Sequence, residues 1–306
     1  MINNTDKLPD RFSTPTAEPA NCEQQLDWQQ RNQSWWQSNP MRYDWRDPIP
    51  GAEFTAEFYE EIDRRHFCDA AHYSPPQEKP FDELIPFAAL PHSDVLEIGI
   101  GNGSHAKLIA PHCRSYVGID ITRYAVESTT RRFEIFGLPG RILQMDAERM
   151  EFSDASFDFI WTWGVIHHSS NTERVLQEMQ RVLRPGGRAV IMVYHRSLLY
   201  YYVSNGLFRG IIGGDLLKTR SLHKTVQLHT DGAIARFYSV SEWRALAQKY
   251  FAIESVRIKG QKSEILPIPS SRLKDTLAAI TPGILCRFVL TVLAQGSFLI
   301  SQVQRP

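Results

Sequence analysis

Net charge is the first thing this chain lacks: 34 basic and 34 acidic residues leave a formal charge of +0 over 306 positions. Without a global positive field there is no general attraction to nucleic acid, so a small-molecule ligand is expected instead. Cysteine is scarce and scattered. Cys22, Cys68, Cys113 and Cys286 show no C-x-x-C spacing. That excludes a disulfide framework or zinc ribbon and fits free thiols in the cytoplasm. The histidines have no carboxylate or cysteine at ligand spacing, so no metal is expected. The first twenty residues are polar and contain Pro9 and Pro15. They have the pattern of neither a signal peptide nor a membrane anchor. A spanning helix needs about 20 uncharged apolar residues. The nearest approach, 283–300, is interrupted by Arg287 and Gln295. Surface docking of 197–213 and 283–300 on a membrane stays open, and no feature speaks to oligomeric state. There is no internal repeat and no second glycine fingerprint.

What is present centres on Asp94-Val95-Leu96-Glu97-Ile98-Gly99-Ile100-Gly101-Asn102-Gly103-Ser104-His105. An apolar, partly β-branched run enters three glycines and then a helical stretch. This reads as a buried strand, a tight turn and a helix N-terminus. Glycines let the backbone approach a ligand closely, and the helix N–H groups face its polar end. The spacing is Gly99-x-Gly101-x-Gly103, with Ser104 where a dinucleotide fingerprint wants its third glycine.

Strands and helices alternate from Val95 onward, which implies a parallel sheet covered on both faces. The second strand, 115–120, ends on Asp120, placed to accept from ribose hydroxyls. The helix after it closes at Gly137. The third strand ends on Asp146-Ala147, at the ligand edge of the sheet. The fourth, 157–164, runs through Trp163-Gly164 into Val165-Ile166-His167-His168. Leu183-Arg184-Pro185-Gly186-Gly187 then ends a helix and turns into the fifth strand. A helix with Ser241 as its N-cap, a sixth strand near 252–259 and a last antiparallel strand near 297–303 complete the sheet.

The remainder divides as follows. Residues 1–33 are polar and lack apolar periodicity, so a disordered or loosely attached tail is expected there, unable to cover a pocket. Residues 34–90 form an N-terminal cap. Its aromatic strap holds Met41, Tyr43 and Trp45, expected to roof the pocket in preference to packing on its flank. An amphipathic helix over 52–67 follows the strap, with Phe54, Phe58 and Ile62 on one face. The main domain covers 91–306. An insertion at 195–240 provides a lid, with Tyr200, Arg236 and Tyr238 as substrate-facing candidates.

The Gly-rich turn, Asp120, Asp146-Ala147, V-I-H-H and L-R-P-G-G occur in the order seen in class I S-adenosylmethionine-dependent methyltransferases. The chain resembles their small-molecule (methyltransferase type 11-like) branch. That resemblance implies a Rossmann-like seven-stranded sheet of order 3-2-1-4-5-7-6, with strand 7 antiparallel and helices on both faces. It implies S-adenosylmethionine as cofactor and in-line methyl transfer to an O, N, S or C nucleophile. It assigns Glu97, Gly99, Gly101, Asn102 and Gly103 to the methionine end, Asp120 with Ile121 to the ribose, and Asp146 with Ala147 to the adenine. Trp163 and Gly164 stand beside the reacting centre. His167, His168 and His195 are candidate bases, because imidazole titrates near neutral pH. Two alternatives stand: a non-catalytic binding partner of the same fold, and a nicotinamide-dependent oxidoreductase.

Overall fold

The computed structural model describes Pro9 and residues 12–44, 47–268 and 271–306. Strand β1 (Asp94–Ile98) is buried at every position after the first. It pairs in parallel with β2 (Ser115–Asp120) on one side and β4 (Phe157–Trp163) on the other. A central parallel strand must bury both faces, which is why its sequence is a continuous apolar run. Outward from β2 lies β3 (Arg141–Gln144), and outward from β4 lies β5 (Leu183–His195). β8 (Phe298–Gln304) runs antiparallel between β5 and β7 (Ala252–Lys259). The order β3-β2-β1-β4-β5-β8-β7 is the expected one, with one addition. A two-residue strand β6 (Phe237–Tyr238) pairs with β5 at Tyr194 and His195. β4 accompanies β5 only as far as Met192. Beyond it the edge of β5 is open, and an open edge takes any strand that reaches it.

Neighbouring residues on β1 serve opposite cores, as a period of two requires. Leu96 and Ile98 meet Val175, Leu176 and Met179 of α5 (Thr172–Val182) on one face. Val95 meets Phe159, Trp161 and Ile109 on the other. Helix α3 (Ser104–Ile109) follows the glycine turn, and α4 (Arg123–Phe136) follows β2. Thr122 caps α4, and Gly137 ends it with φ 60.

Several expectations need correction. Part of the supposed tail lies outside the described residues, but the rest is ordered. Helix α1 spans Cys22–Ser38, and Phe12 and Trp28 are fully buried against Ile234. Its amphipathicity is carried by glutamines, so an apolar count passes over it. Helix α2 spans Ala56–Tyr73, four residues later at its start than expected. Thr55 accepts from Phe58 N–H as its N-cap, and Phe54 precedes the helix with φ 64. Phe58 and Ile62 are buried as expected. The helix at Val240–Ala247 is capped by Ser239, which forms a capping box with Glu242, and not by Ser241. Residues 195–240 hold a π-type helix (Leu198–Ile212), two short helices and β6. Among the described residues no single helix is long and apolar enough to cross a membrane.

One buried charge and its half-buried partner lock the cap onto α4. Arg132 of α4 is fully buried, with Nη1 donating to Asp63 of α2 at 2.8 Å and the guanidinium 4.5 Å from the Tyr59 ring centroid. Removing one partner of such a pair strands a buried charge, at a cost of about 3–5 kcal/mol. Asp63→Ala is therefore expected to lose stability of that order in urea unfolding, and Arg132→Met less.

Glu97 projects toward Tyr116, on the face opposite Leu96 and Ile98, and is 1% exposed. The Tyr116 hydroxyl donates to its Oε2 at 2.6 Å. Burial pushes the carboxyl up to about 8, helped by the nearby Asp120 charge. The folded chain thus keeps a proton that the unfolded chain releases near the ordinary 4.5. The stability this provides is full below that value and is lost as pH rises through about 8. Glu97→Gln should flatten that slope. Its urea midpoint should gain on the native chain between pH 5 and pH 9; parallel curves would show that Glu97 is not protonated in the native state.

Candidate functional site

A cavity of about 530 Å³ opens at the carboxyl ends of β1, β2 and β4. This is where open α/β sheets take their ligands. Gly99 and Gly101 form its floor together with Asn102. Gly99 has φ +78, and a Cβ on it would lie 2.2 Å from Val165 Cγ2. Gly101 has φ +53, and a Cβ there meets nothing within 4 Å, because that side opens on the cavity. The two glycines are required for different reasons, one for close packing and one for a clear cradle. Gly103, assigned with them, does not line the cavity. Its missing Cβ makes room for Thr129 Cγ2 at 2.9 Å, so it serves the packing of α4. Glu97 does not line it either, because alternation along β1 turns that side chain toward Tyr116.

Asp120, Ile121, Asp146, Ala147, Trp163 and Gly164 all line the cavity. Asp120 Oδ1 accepts from the Thr122 amide at 2.9 Å and its hydroxyl at 2.8 Å, and Oδ2 from Gly101 N–H at 3.3 Å. Burial raises its pKa against those bonds. Asp146 is likewise raised by burial, while Gln29 and the Glu148 amide bond to its Oδ1.

The bond from Gln29 belongs to a ladder. Gln25, Gln29, Gln33 and Gln37 recur every fourth residue along one face of α1. Gln25 donates to Glu148 at 2.7 Å, Gln29 to Asp146 at 2.8 Å and Gln33 to the Ile121 carbonyl at 2.8 Å. Gln37 accepts from Tyr124 N–H at 3.1 Å. The same helix brings Gln29, Asn32 and Trp36 into the cavity wall. The first thirty residues therefore do help to cover the pocket. Spacing of the glutamines was the available signal.

The strap behaves as a roof where it is described. Met41 and Tyr43 line the cavity, and the Met41 carbonyl accepts from Asn102 Nδ2 at 2.7 Å. Trp45 lies outside the described residues. Tyr200 lines the cavity from the insertion. Arg236 and Tyr238, expected beside it, do not. Arg236 is fully buried and spends its fork on backbone, with Nε to Ala17, Nη1 to Ser169 and Nη2 to Ser170 carbonyls. It clamps the N-terminal segment to the loop after β4. Tyr238 packs in the core against Trp243, because β6 faces the sheet.

The three candidate bases separate in the same way. His168 lines the cavity, with Nδ1 2.7 Å from the Ile234 carbonyl and its ring beside Trp36. A donating Nδ1–H leaves Nε2 as the basic nitrogen. His167 is fully buried between His168 and Tyr194, at ring distances of 4.1 and 4.0 Å. It lines no part of the cavity, and burial holds its pKa well below the usual imidazole value. His195 is tied by Nδ1 to the Gly296 carbonyl at 2.8 Å and also lies off the cavity. The turn Ile166–His168 sends adjacent side chains in different directions, which accounts for the split. Two unanticipated histidines do reach the cavity. His66 of α2 and His105 of α3 have their Nε2 atoms 3.1 Å apart. Burial lowers both, His66 to about 4, so this pair is neutral at pH 7 and supplies polarity without charge.

Residues 96–191 match the family model described as a methyltransferase domain. A phthiotriol/phenolphthiotriol dimycocerosates methyltransferase of Mycobacterium ulcerans is 37% identical over 95 residues, 30% of this chain and 34% of that one. An S-adenosyl-L-methionine-dependent Diels-Alderase, iccD, of Talaromyces variabilis is 35% identical over 120 residues, 38% of this chain and 41% of its own. The shared part is thus less than half of either relative. A crystal structure of a SAM-dependent methyltransferase from Aquifex aeolicus shares the fold at a TM-score of 0.50 and 12% identity, over 81% of this chain and 96% of that one. The oxidoreductase alternative falls away with these matches. The sheet order, the glycine turn at its carboxyl edge and the matched segment together show a methyltransferase domain over residues 96–191.

Proposed function

We propose that this chain transfers the methyl group of S-adenosylmethionine to a nucleophile on a small molecule. The observation that carries the proposal is the continuity of one cavity. Its wall includes Gly99, Gly101, Asp120 and Asp146, and also Tyr43, His66, Asp69, His168 and Tyr200, which the cofactor motifs do not account for. A cofactor frame and a second, mixed apolar and polar compartment share one enclosed space, as a two-substrate transfer needs. The cradle at Gly101 and the carboxylates of Asp120 and Asp146 fit the donors of an adenosine.

When bound, the cofactor supplies a methyl group already made electrophilic by its sulfonium. The chain's task is alignment and exclusion of water, and alignment of this kind contributes about 7–11 kcal/mol in favourable cases. Met41, Tyr43 and α1 enclose the site, and Asn102 fastens the strap to the glycine loop. Aromatic faces next to a cation add attraction within about 6 Å. His168 takes the proton of a hydroxyl or ammonium acceptor on Nε2, with Nδ1 anchored by Ile234.

Two measurements test this. Asp120→Ala should weaken S-adenosylhomocysteine binding by about 1.5–3 kcal/mol, the worth of hydrogen bonds to a charged group, in titration calorimetry. Unchanged affinity would remove Asp120 from the site. His168→Ala should lower turnover about 10²–10⁴-fold while leaving that affinity near native. The product read-out should be a one-methyl mass gain. A relative named as a Diels-Alderase makes this decisive, since an isomerised product of unchanged mass would assign the frame to another reaction.

A further inference from the structure

Apolar side chains left uncovered by this fold collect on two segments. One is Leu198–Ile212 with the short helix Asp215–Thr219 after it, where Ile211 is 65%, Ile212 68% and Leu217 84% exposed. The other holds the short helices Arg272–Ile280 and Gly283–Arg287 and the π-type helical segment Phe288–Val292. There Ile284 is 74%, Phe288 50% and Val292 69% exposed. Single exposed leucines need no explanation, but groups of this density mark an interaction surface. Both segments pack against the same turn, Lys262–Ile265. Both also reach the cavity, through Tyr200, Ser204 and Arg209 on one side and Leu266, Pro267 and Lys274 on the other. The segments that carry the uncovered surface therefore also form part of the cavity wall.

Charge selects the occupant. The chain as a whole is neutral, yet residues 198–224 and 261–295 carry eight basic side chains against three acidic ones. Arg220, Arg272 and Arg287 are exposed there. A second copy would set this positive surplus against itself. An anionic lipid surface complements the apolar residues and the basic ones together. The apolar pieces Arg272–Ile280 and Gly283–Val292 are bent by 101° to one another, and among the described residues no single helix is long and apolar enough to span a bilayer.

We propose that this face docks on an anionic lipid bilayer, and that the methyl acceptor is an amphiphile entering the cavity from that surface. The docking stands by itself; the acceptor class rests on the methyl-transfer reading. The test is cosedimentation of the full chain with phosphatidylcholine vesicles, with and without phosphatidylglycerol. Binding is expected to the anionic vesicles and to weaken at high salt. Ile212→Asp combined with Phe288→Asp should lower partitioning about tenfold or more. Arg272→Ala and Arg287→Ala should each lower it about fivefold. S-adenosylhomocysteine affinity, measured on every variant, should match the native chain and show that the sheet is intact. Loss of that affinity in the native chain would sink the methyl-transfer reading and leave the docking result standing. Docking is overturned if the native chain ignores anionic vesicles, if the apolar-to-Asp variant binds as well, or if gel filtration shows a dimer that this variant dissolves.

Discussion

Gly99 and Val165 are packed so closely that no side chain fits between them, and the site depends on that contact. The glycine turn after β1 and the loop after β4 leave adjacent strands at the same edge. Pressed together, they fix where the floor of the cavity lies relative to Trp163, Gly164 and His168. The cofactor-side carboxylates of the cavity are then positioned from that edge. Asp120 and Asp146 are at neighbouring strand ends, and the loop before α5 presents Ser169 and Ser170 to Arg236. The scaffold is a mainly parallel sheet with a core on each face, and the cap supplies Tyr73, Phe81, Leu84, Ile85 and Leu90 to one of them.

The cap works on different physics. Tyr73, Phe81, Leu84, Ile85 and Leu90 pack into the core on one face of the sheet, and directional polar bonds fasten the rest: Arg132 with Asp63, Asn102 with Met41, the Tyr59 hydroxyl with the Ser128 carbonyl, and the glutamines of α1. Such contacts fix orientation because each is directional, whereas apolar burial tolerates sliding. The aromatic strap adds bulk over the pocket, but the hydrogen bonds say where that bulk sits.

How much of this was legible in the sequence follows from which signals are local. Gly99, Gly101, Asp120 and Asp146 announce themselves because strand, turn and residue are contiguous, and the strand order came with them through the family resemblance. His167 and His168 could not be told apart, since a short 3-10 turn has no period from which to read direction. Arg236 reads as substrate-facing because it falls in the insertion at the ligand edge, yet its planar fork satisfies three carbonyls at once. His66 and His105 are 39 positions apart and meet only through the packing of α2 on α3. Helix α1 escaped because the usual search is for apolar periodicity, and its repeat is written in glutamine.

That repeat has a kinetic consequence. Each rung is an amide hydrogen bond that water can replace, contributing about 0.5–1.5 kcal/mol net. The rungs add up, but none is a core contact, so α1 can swing free while both cores stay intact. One end stays tethered through Trp28, packed with Phe12 and Ile234. Opening of this kind belongs to the local, sub-global class of fluctuations, well below the free energy of whole-chain unfolding. Asp146 Oδ1 accepts from Gln29 of α1 and from the Glu148 amide, so this strand end is held from the helix and from its own loop at once. Four neutral side chains thereby fasten one wall of the cavity through bonds that water can exchange singly.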